Sequence, residues 1–195
     1  HNQLIFTNLS FLKNIQNLIS PKPVENMPNI FGQESDVIRE FKNFSNSYRI
    51  GILCYFTDYE MQEEISNYKK RLEQLGYECD VLLFIDKKER ENNIYLQYFD
   101  WNDLDKKTAM PHSPKTDRIV VKKYDMLFNL YFQDSPQLKN IAHLSMARCR
   151  VGPYVEPLKS VSDILIPCGD TPDIATLIIN INSILNLKPY ARKQI

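Results

Sequence analysis

The chain has 195 residues with 24 basic and 24 acidic side chains, and 43% of its residues are hydrophobic. This length predicts one compact domain with a sizeable core, and a chain that is 25% charged and 11% aromatic is not disordered. A formal net charge of zero argues against a protein whose main task is to bind nucleic acid, because that task requires a basic footprint. The longest apolar stretches fall far below the roughly 20 residues of a membrane span.

Cysteine usage bears on the compartment in which the chain works. The cysteines, Cys54, Cys79, Cys149 and Cys168, lack the close spacing of a metal site. Three of them sit in or beside predicted strands, where a free cysteine behaves as a small buried hydrophobic residue. We therefore expect reduced thiols, a cytoplasmic location and no bound metal.

The first 31 residues are predicted to form an arm ahead of the domain. Apolar residues recur at helical spacing over residues 3–19, and a Pro-containing segment ends that pattern. We assign residues 1–31 to an amphipathic helix with its linker, and residues 32–195 to a single α/β domain that begins with a short helix at 34–44. Lys13 is the only charged residue on the polar face of the amphipathic helix. Because membrane-binding helices are rich in basic residues on that face, this favours packing on protein over binding to a membrane surface.

A β-α-β unit is the clearest pattern in the chain. Arg49–Phe56 is an apolar run of the kind that fills a strand buried on both faces. Thr57 and Glu60 have the spacing of a capping box, and the helix that follows ends before Gly76, which suits the left-handed C′ position. Cys79–Ile85 is predicted to be a second buried strand, so we expect a right-handed parallel crossover between the two.

Strands and helices continue to alternate after a polar insertion at 86–118. The insertion contains Trp101, the only tryptophan of the chain, and is predicted to be irregular. An edge strand at Tyr95–Phe99 is the alternative for part of it. The later predicted elements are strands at 124–132, 150–154 and 163–167, a helix starting at Ser135-Pro136, and a helix from Thr171-Pro172 to Leu187. This alternation predicts a doubly wound, mostly parallel sheet of about five strands, of the Rossmann-like or flavodoxin-like class.

Three motifs resemble an uncharacterised family of short bacterial cytosolic proteins. They are Ile50-Gly-Ile-Leu53 in a strand, Tyr124-Asp-Met-Leu-Phe-Asn-Leu130 in a later strand, and Ile141-Ala-His-Leu-Ser-Met-Ala147 in the helix after it. The resemblance covers about residues 32–190. It implies an α/β fold and no established activity.

Residues 124–152 are also similar to the acceptor-side half of heptosyltransferase-like glycosyltransferases. Those enzymes place an Asp-x-x-x-Asp-Leu strand before a helix that ends in Ala-Arg-x-Arg-x-Gly, which is matched here from Ala147 to Gly152. Asn129 stands where that pattern has its second acidic residue. The similarity implies an acceptor site at the strand ends, in a chain that lacks the second domain, which in that superfamily binds the nucleotide sugar.

The default ligand site of an open parallel sheet lies at the carboxyl ends of its strands. The residues that the predicted strands place there, which we call the candidate crevice, are Thr57, Asp58, Gln133, Asp134, Gly152, Tyr154, Gly169 and Asp170. None of them belongs to a Gly-rich phosphate loop, and acids at each helix start already use the partial positive charge that would attract a phosphate. We therefore predict helix caps, no nucleotide and no cofactor, with a divalent cation held by converging acids as the alternative.

Several other conspicuous residues are assigned structural roles. His143 is predicted to be a partly buried structural histidine, with a catalytic base as the alternative. The basic stretch 106–123, together with Arg148 and Arg150, is predicted to be a solvated surface rather than a patch for an acidic partner or RNA, because the net charge is balanced. Asn129 is predicted to be buried and to tie down a neighbouring loop.

The last predicted helix indicates a contact surface. From Ile174 to Leu187 it has no charged residue and is apolar most of the way round, which is typical of a helix buried on more than one side. We expect Ile179 to be covered by the N-terminal helix or by a second copy in a homodimer. The leading functional hypothesis is a non-catalytic module that acts through protein contacts. Its rival is a glycosyltransferase-like enzyme or remnant that binds an acceptor in the candidate crevice.

Overall fold

The protein is described by a computed structural model that covers residues 37–86, 93–105 and 110–190. The predicted arm at 1–31 lies outside the described residues, so the boundary between arm and domain stays a prediction. None of the described helices is long and apolar enough to cross a membrane.

The described chain alternates strands and helices in the predicted order. The strands are β1 (Arg49–Tyr55), β2 (Glu78–Phe84), β3 (Tyr98–Phe99), β4 (Met126–Leu130), β5 (Cys149–Pro153) and β6 (Ile164–Ile166). The α-helices are α1 (Tyr59–Gln74), α2 (Pro114–Val121), α3 (Pro136–Leu144) and α4 (Ile174–Ile184). Short 3₁₀ turns occupy Phe44–Asn46, Trp101–Asp103 and Glu156–Leu158.

The strands form one parallel sheet in the order β3-β2-β1-β4-β5-β6. This confirms the predicted doubly wound α/β fold. The alternative of an edge strand at Tyr95–Phe99 is realised by β3, which is the sixth strand of the sheet. The strand order reverses between β1 and β4, where Gly51 of β1 pairs with Leu127 of β4 on one side and with Asp80 of β2 on the other. Ligands of doubly wound folds bind outside the carboxyl ends of the strands at such a reversal.

Each face of the sheet is covered by two helices. Helices α1 and α4 pack on one face, where Ile65, Leu72 and Ile181 are fully buried against β1 and β4. Helices α2 and α3 pack on the other, where Ile119 and Leu138 are buried. The inner strands therefore have no polar face, which explains the continuous apolar runs of β1 and β4.

The short helix predicted at 34–44 is wrong over the described residues 37–43, which are irregular. The backbone of this segment bonds to other parts of the chain instead of to its own next turn. The Glu40 N–H donates to the Arg148 carbonyl at 2.9 Å, and the Phe44 N–H donates to the Leu185 carbonyl at 3.0 Å. Long-range contacts thus override a local apolar pattern.

The insertion predicted to be irregular at 86–118 contains the start of a regular helix, α2. Ser113 caps α2 by accepting the Thr116 N–H at 3.4 Å, and Pro114 takes the first helical position. This is the Ser-Pro device that correctly located the start of α3 at Ser135. The same Ser-Pro signal therefore marks the start of α2, although the sequence around it is polar.

Two predicted N-caps lie one or two residues away from the observed ones. Asp58, not Thr57, caps α1, since its Oδ1 accepts the Met61 N–H at 2.8 Å. Asp173, not Thr171, caps α4, with its Oδ1 accepting the Thr176 N–H at 2.8 Å. An aspartate offers both a hydrogen-bond acceptor and a negative charge, and the positive end of the helix dipole stabilises that charge. Aspartate is therefore preferred over a nearby threonine as the N-cap residue.

Candidate functional site at the carboxyl ends of the strands

Four residues of the candidate crevice lie at the two strand ends that adjoin the reversal of strand order. Thr57 and Asp58 follow β1, and Gln133 and Asp134 follow β4, all of them exposed. Since β1 and β4 are neighbours, the structure brings these four residues to one edge of the sheet, as predicted. We call this edge the carboxyl-end edge and the opposite one the amino-end edge.

Polar groups at this reversal are already engaged by nearby parts of the chain. Asp58 caps α1 and also accepts the Thr57 hydroxyl at 3.0 Å. The Met61 N–H lowers the pKa of the Asp58 carboxyl. Gln133 Oε1 accepts the Phe132 N–H at 3.1 Å, and Asp134 pairs with Lys139 at 2.6 Å. Helix caps and local pairs therefore occupy the position where the fold class binds ligands.

The remaining residues of the candidate crevice lie in or after β5 and after β6, and they differ in burial. Gly152 lies inside β5 and is buried, and a Cβ there would overlap the Ser162 hydroxyl and press on Asn129. Its role is therefore close packing. Tyr154 is half exposed, and the Lys159 ammonium lies 5.1 Å from the centre of its ring.

Gly169 and Asp170 follow β6 and are exposed. Gly169 has a φ of +75°, with nothing within 4 Å of the position of a Cβ, so it serves an open turn. The described residues contain no group of three or more His, Cys, Asp or Glu side chains placed to hold a metal ion.

A polar and aromatic cluster that the sequence did not predict lies at the ends of β1, β2 and β3. The Tyr55 hydroxyl donates to Asp86 Oδ2 at 2.7 Å, and the Trp101 indole N–H donates to Asp86 Oδ1 at 2.7 Å. The Phe84 ring packs edge-on against both aromatic rings, at 5.8 Å from Tyr55 and 6.0 Å from Trp101. Desolvation and the bond to Asp86 raise the pKa of Tyr55 to about 12, so the hydroxyl stays a donor at neutral pH.

One sequence signal could have located this cluster. Asp86 directly follows the second predicted strand, and its position obeys the same rule that placed Asp58 and Asp134 at strand ends. Trp101 could not be placed, because the two-residue strand β3 that precedes it has no pattern of its own. The pairing of Leu83 with Tyr98 and of Phe84 with Phe99 fixes where that strand ends.

Tyr131, the first residue after β4, lies on the same face of the sheet as this cluster. Its side chain is buried, and its hydroxyl has no hydrogen-bond partner within the described segments. Burial and the nearby Asp134 and Cys54 raise the pKa of this hydroxyl.

Many acids lie at the carboxyl-end edge of the sheet, whereas the amino-end edge holds most of the bases together with acids such as Glu78, Asp125 and Asp163. Each helix starts after the end of one strand and finishes before the start of the next, so the order of elements fixes the edge to which a residue belongs. Acids at the carboxyl-end edge include Asp58, Glu60, Asp86, Asp100, Asp103, Asp134, Asp170 and Asp173. Bases at the amino-end edge include Arg49, Arg71, Lys122, Lys123, Arg148, Arg150 and Lys188.

The basic residues singled out in the sequence are largely held by acids. Arg150 is buried and forms a bidentate pair with Asp163, through Nε at 3.0 Å and Nη2 at 2.6 Å. Lys122 bonds both Glu78 and Asp80. Arg148 pairs with Glu40 at 3.4 Å but keeps more than half of its side chain exposed. These contacts hold the sheet together, while Arg118, Arg148 and Lys123 keep exposed basic surface.

The two remaining residues singled out are both accounted for. His143 was predicted to be partly buried, and this is wrong, because the residue is exposed near the end of α3. Partial desolvation of its ring and the nearby Arg150 and Arg39 lower its pKa. Asn129 is fully buried, as predicted, and donates to the Val161 carbonyl at 3.0 Å and to the Ser162 hydroxyl at 3.2 Å. Asn129 thus ties the loop before β6 to β4.

A groove of about 360 Å³ lies away from the carboxyl-end edge, beside the part of β2 that β3 does not cover. It is lined by Lys69 and Glu73 of α1, by Glu78 and Asp80 of β2, and by Tyr95 and Gln97. Lys69 pairs with Glu73, and Glu78 and Asp80 with Lys122, so the charges along the groove are matched.

Fold and site together define a doubly wound parallel α/β domain whose strand-end polar groups are mostly engaged by their own helices. The model of the DUF6913 family, a family of unknown function, matches residues 32–187, and the chain belongs to this family. No curated protein and no solved structure matches the chain.

Proposed function

We propose that this domain is a non-catalytic binding module of the bacterial cytoplasm that acts through contacts with protein. The observation that carries the proposal is the self-capping of the helices that start at the carboxyl-end edge. Asp58, Ser113, Ser135 and Asp173 each accept a backbone N–H of the helix that they precede. An enzyme of this fold class needs that edge open to its substrate.

The electrostatics of the same edge support the proposal. A helix N-terminus carries the equivalent of about half a positive charge, which is what attracts a phosphate. Here a carboxylate or hydroxyl already accepts one backbone N–H at each of these helix starts, and acids such as Asp86, Asp134 and Asp170 add repulsion. The phosphates of a nucleotide would therefore find fewer free N–H groups at these helix starts and would be repelled by the nearby carboxylates.

The cysteines support a cytoplasmic location. All four are free and buried, and burial raises the pKa of the Cys79 and Cys149 thiols to about 12. Thiols of this kind are inert and behave as part of the core.

The contact surface that we propose is the outer side of helix α4. Ile179 leaves 64% of its surface exposed although α4 has no charged residue, and Ala175 beside it is exposed as well. We propose that this side is covered by a protein partner, by a second copy of the chain, or by the N-terminal helix. Burial of Ile179 contributes on the order of 2 kcal/mol.

Light scattering on the full chain tests this surface. We expect Ile179→Glu to reduce the mass of an oligomer or, where the N-terminal segment is the occupant, to lower the melting temperature of a monomer. Val121→Glu is the matched control, because Val121 is also apolar and 62% exposed but lies on the opposite face of the sheet. A monomer with an unchanged melting temperature in both variants would show that α4 is not a contact surface.

The alternative is a glycosyltransferase-like enzyme or remnant. One observation favours it: Thr57, Asp58, Gln133 and Asp134 are exposed at adjacent strand ends, at the reversal where this fold class binds ligands. Thermal unfolding with millimolar nucleotides and nucleotide sugars separates the two. A ligand at a hundredfold its Kd stabilises a fold by about 2.7 kcal/mol, so a clear rise in melting temperature would favour the enzyme. We expect no rise.

A further inference from the structure

The cluster of Tyr55, Asp86 and Trp101 holds a carboxylate in a fixed position without neutralising it. Two neutral donors, one from each aromatic side chain, bond the two oxygens of Asp86 at 2.7 Å each. Asp86 is exposed, and no lysine or arginine of the described segments forms an ion pair with it. Each carboxylate oxygen accepts more than one hydrogen bond, so both keep capacity for a further donor.

The indole beside this carboxylate is open to a partner. Phe84 is buried and packs against Trp101 at 67° between the ring planes, which supports the indole from within. Trp101 nevertheless leaves 43% of its surface exposed. The face of a tryptophan is the side-chain surface that attracts cations best. Carboxylate and indole therefore favour the same ligand, a positively charged group.

Charge around the cluster points the same way. Asp100 follows β3 directly before Trp101 and has no ion pair within the described segments, whereas Asp103 pairs with Lys115 at 3.4 Å. Further acids lie along the carboxyl-end edge. Such a surface speeds the encounter with a basic partner and disfavours an acidic one.

We propose that Trp101 and Asp86 bind an arginine side chain presented by a partner protein. The planar guanidinium stacks flat on the indole while its N–H groups donate to the free lone pairs of the Asp86 carboxylate. A lysine ammonium is a compact point charge that lacks both the flat stacking and the forked set of donors. Tryptophan and arginine are also the residues that most often dominate the binding energy of interfaces. The inference rests on the proposed function and names the chemistry of one partner contact.

Trp101 makes the test specific, because it is the only tryptophan of the chain and its fluorescence reports on this site alone. The probes are three short Gly/Ser peptides that differ at one central residue: arginine, lysine or citrulline. Citrulline keeps the planar shape of arginine and lacks its charge. We expect a saturable fluorescence change with the arginine peptide, about tenfold weaker binding of the lysine peptide, and no binding of citrulline.

Two variants of the full chain sharpen the result. Asp86→Asn preserves the shape of the site and removes its charge, and should weaken binding of the arginine peptide about tenfold. Asp134→Asn is the matched control, because Asp134 is an exposed acid at the same edge that pairs with Lys139 and lies outside the cluster. It should leave binding unchanged.

The outcomes that would overturn the proposal are distinct. Equal responses to arginine and citrulline, or no response to either, would exclude a cation site at Trp101. If the peptides do not bind but Ile179→Glu reduces the mass of an oligomer, this inference alone is contradicted, because the contact surface on α4 would still support the binding module.

Discussion

The two edges of the sheet hold their charged groups in different ways. At the carboxyl-end edge the helix caps and ion pairs that follow β1 and β4 are local in sequence, whereas the cluster of Tyr55, Asp86 and Trp101 joins three strand ends. Asp58 bonds the N–H of Met61 in the first turn of its own helix, and Asp134 pairs with Lys139 in the helix directly after it. Such contacts fix individual helix starts and join no distant parts of the chain.

At the amino-end edge the contacts join segments that are far apart in sequence. Asp125, just before β4, accepts the N–H groups of Tyr48 and Arg49 at 2.8 and 2.9 Å. Lys122 reaches from the end of α2 to Glu78 and Asp80 of β2. These bonds cross-link the starts of the three central strands.

This difference assigns stability of the fold to the amino-end edge and binding of a partner to the carboxyl-end edge. The amino-end edge pairs acids with bases and so contributes to the fold. The carboxyl-end edge has the exposed Trp101 and acids such as Asp86 and Asp170 that form no ion pair within the described segments, which suits it to contact a partner. Substitutions at the amino-end edge should therefore cost more stability than substitutions at the carboxyl-end edge.

The largest loss is expected for Asp163→Asn. Asp163 accepts the Arg150 backbone N–H at 2.7 Å and both prongs of its guanidinium, and Arg150 is buried. Removal of the negative charge leaves that guanidinium uncompensated, which should lower the free energy of unfolding by about 3 kcal/mol. Urea unfolding measures it. Glu156→Gln, in an exposed pair with Lys159, is the control and should change stability by less than about 0.5 kcal/mol. Equal effects in both variants would contradict the comparison.

A smaller loss, about 1–2 kcal/mol at pH 7, is expected for Lys122→Met because its pairs are only partly buried. Burial alone would raise the pKa of Asp80, but the hydrogen bonds from Lys122 and Tyr124 outweigh it and lower that pKa. The Lys122 bond likewise lowers the pKa of Glu78. A carboxyl whose pKa is lower in the folded state stabilises the fold above its unfolded pKa, near 4, and this stability is lost as pH falls through the folded value.

The free energy of unfolding of the wild type should therefore fall more steeply below about pH 4 than that of Lys122→Met. Lys123→Met is the adjacent control, since Lys123 is exposed and has no ion pair within the described segments. It should keep the wild-type slope. A parallel slope in Lys122→Met would show that Glu78 and Asp80 do not depend on this lysine.

The smallest loss is expected at the carboxyl-end edge. Asp58→Ala removes the cap of α1 and should lower the free energy of unfolding by about 1 kcal/mol. Asp134→Ala removes only an exposed ion pair and should cost less than about 0.5 kcal/mol. Chemical denaturation of the two variants measures both values. A loss above that of Asp163→Asn in either one would reverse the assignment of stability to the amino-end edge.

The local part of this structure could be predicted from sequence. The left-handed Gly76 at the end of α1, with a φ of +95°, and the Ser135 cap of α3 were both correctly placed. The caps of α1 and α4 were missed by one and two residues, because neighbouring Thr and Asp side chains compete for the same N–H groups. A capping signal locates a helix start to within a turn and does not choose among adjacent acceptors.

The long-range part could not be predicted. Tyr55, Asp86 and Trp101 meet only because the two-residue strand β3 pairs with the end of β2. Likewise the segment 37–43 leaves its helical pattern because its backbone bonds the loop before β5. Neither contact has a periodic signature in the chain.

The sequence by itself determined the class of fold, since apolar runs, helical periodicity and caps are properties of neighbouring residues that need no partner. It also determined that Asn129 would be buried, because a polar residue between apolar ones in a central strand has no route to solvent. The tertiary structure alone decided the strand order, the pairing of charges across the amino-end edge and the aromatic cluster at Asp86. Those features depend on which distant segments come together, and many pairings of the same segments would satisfy the local pattern equally well.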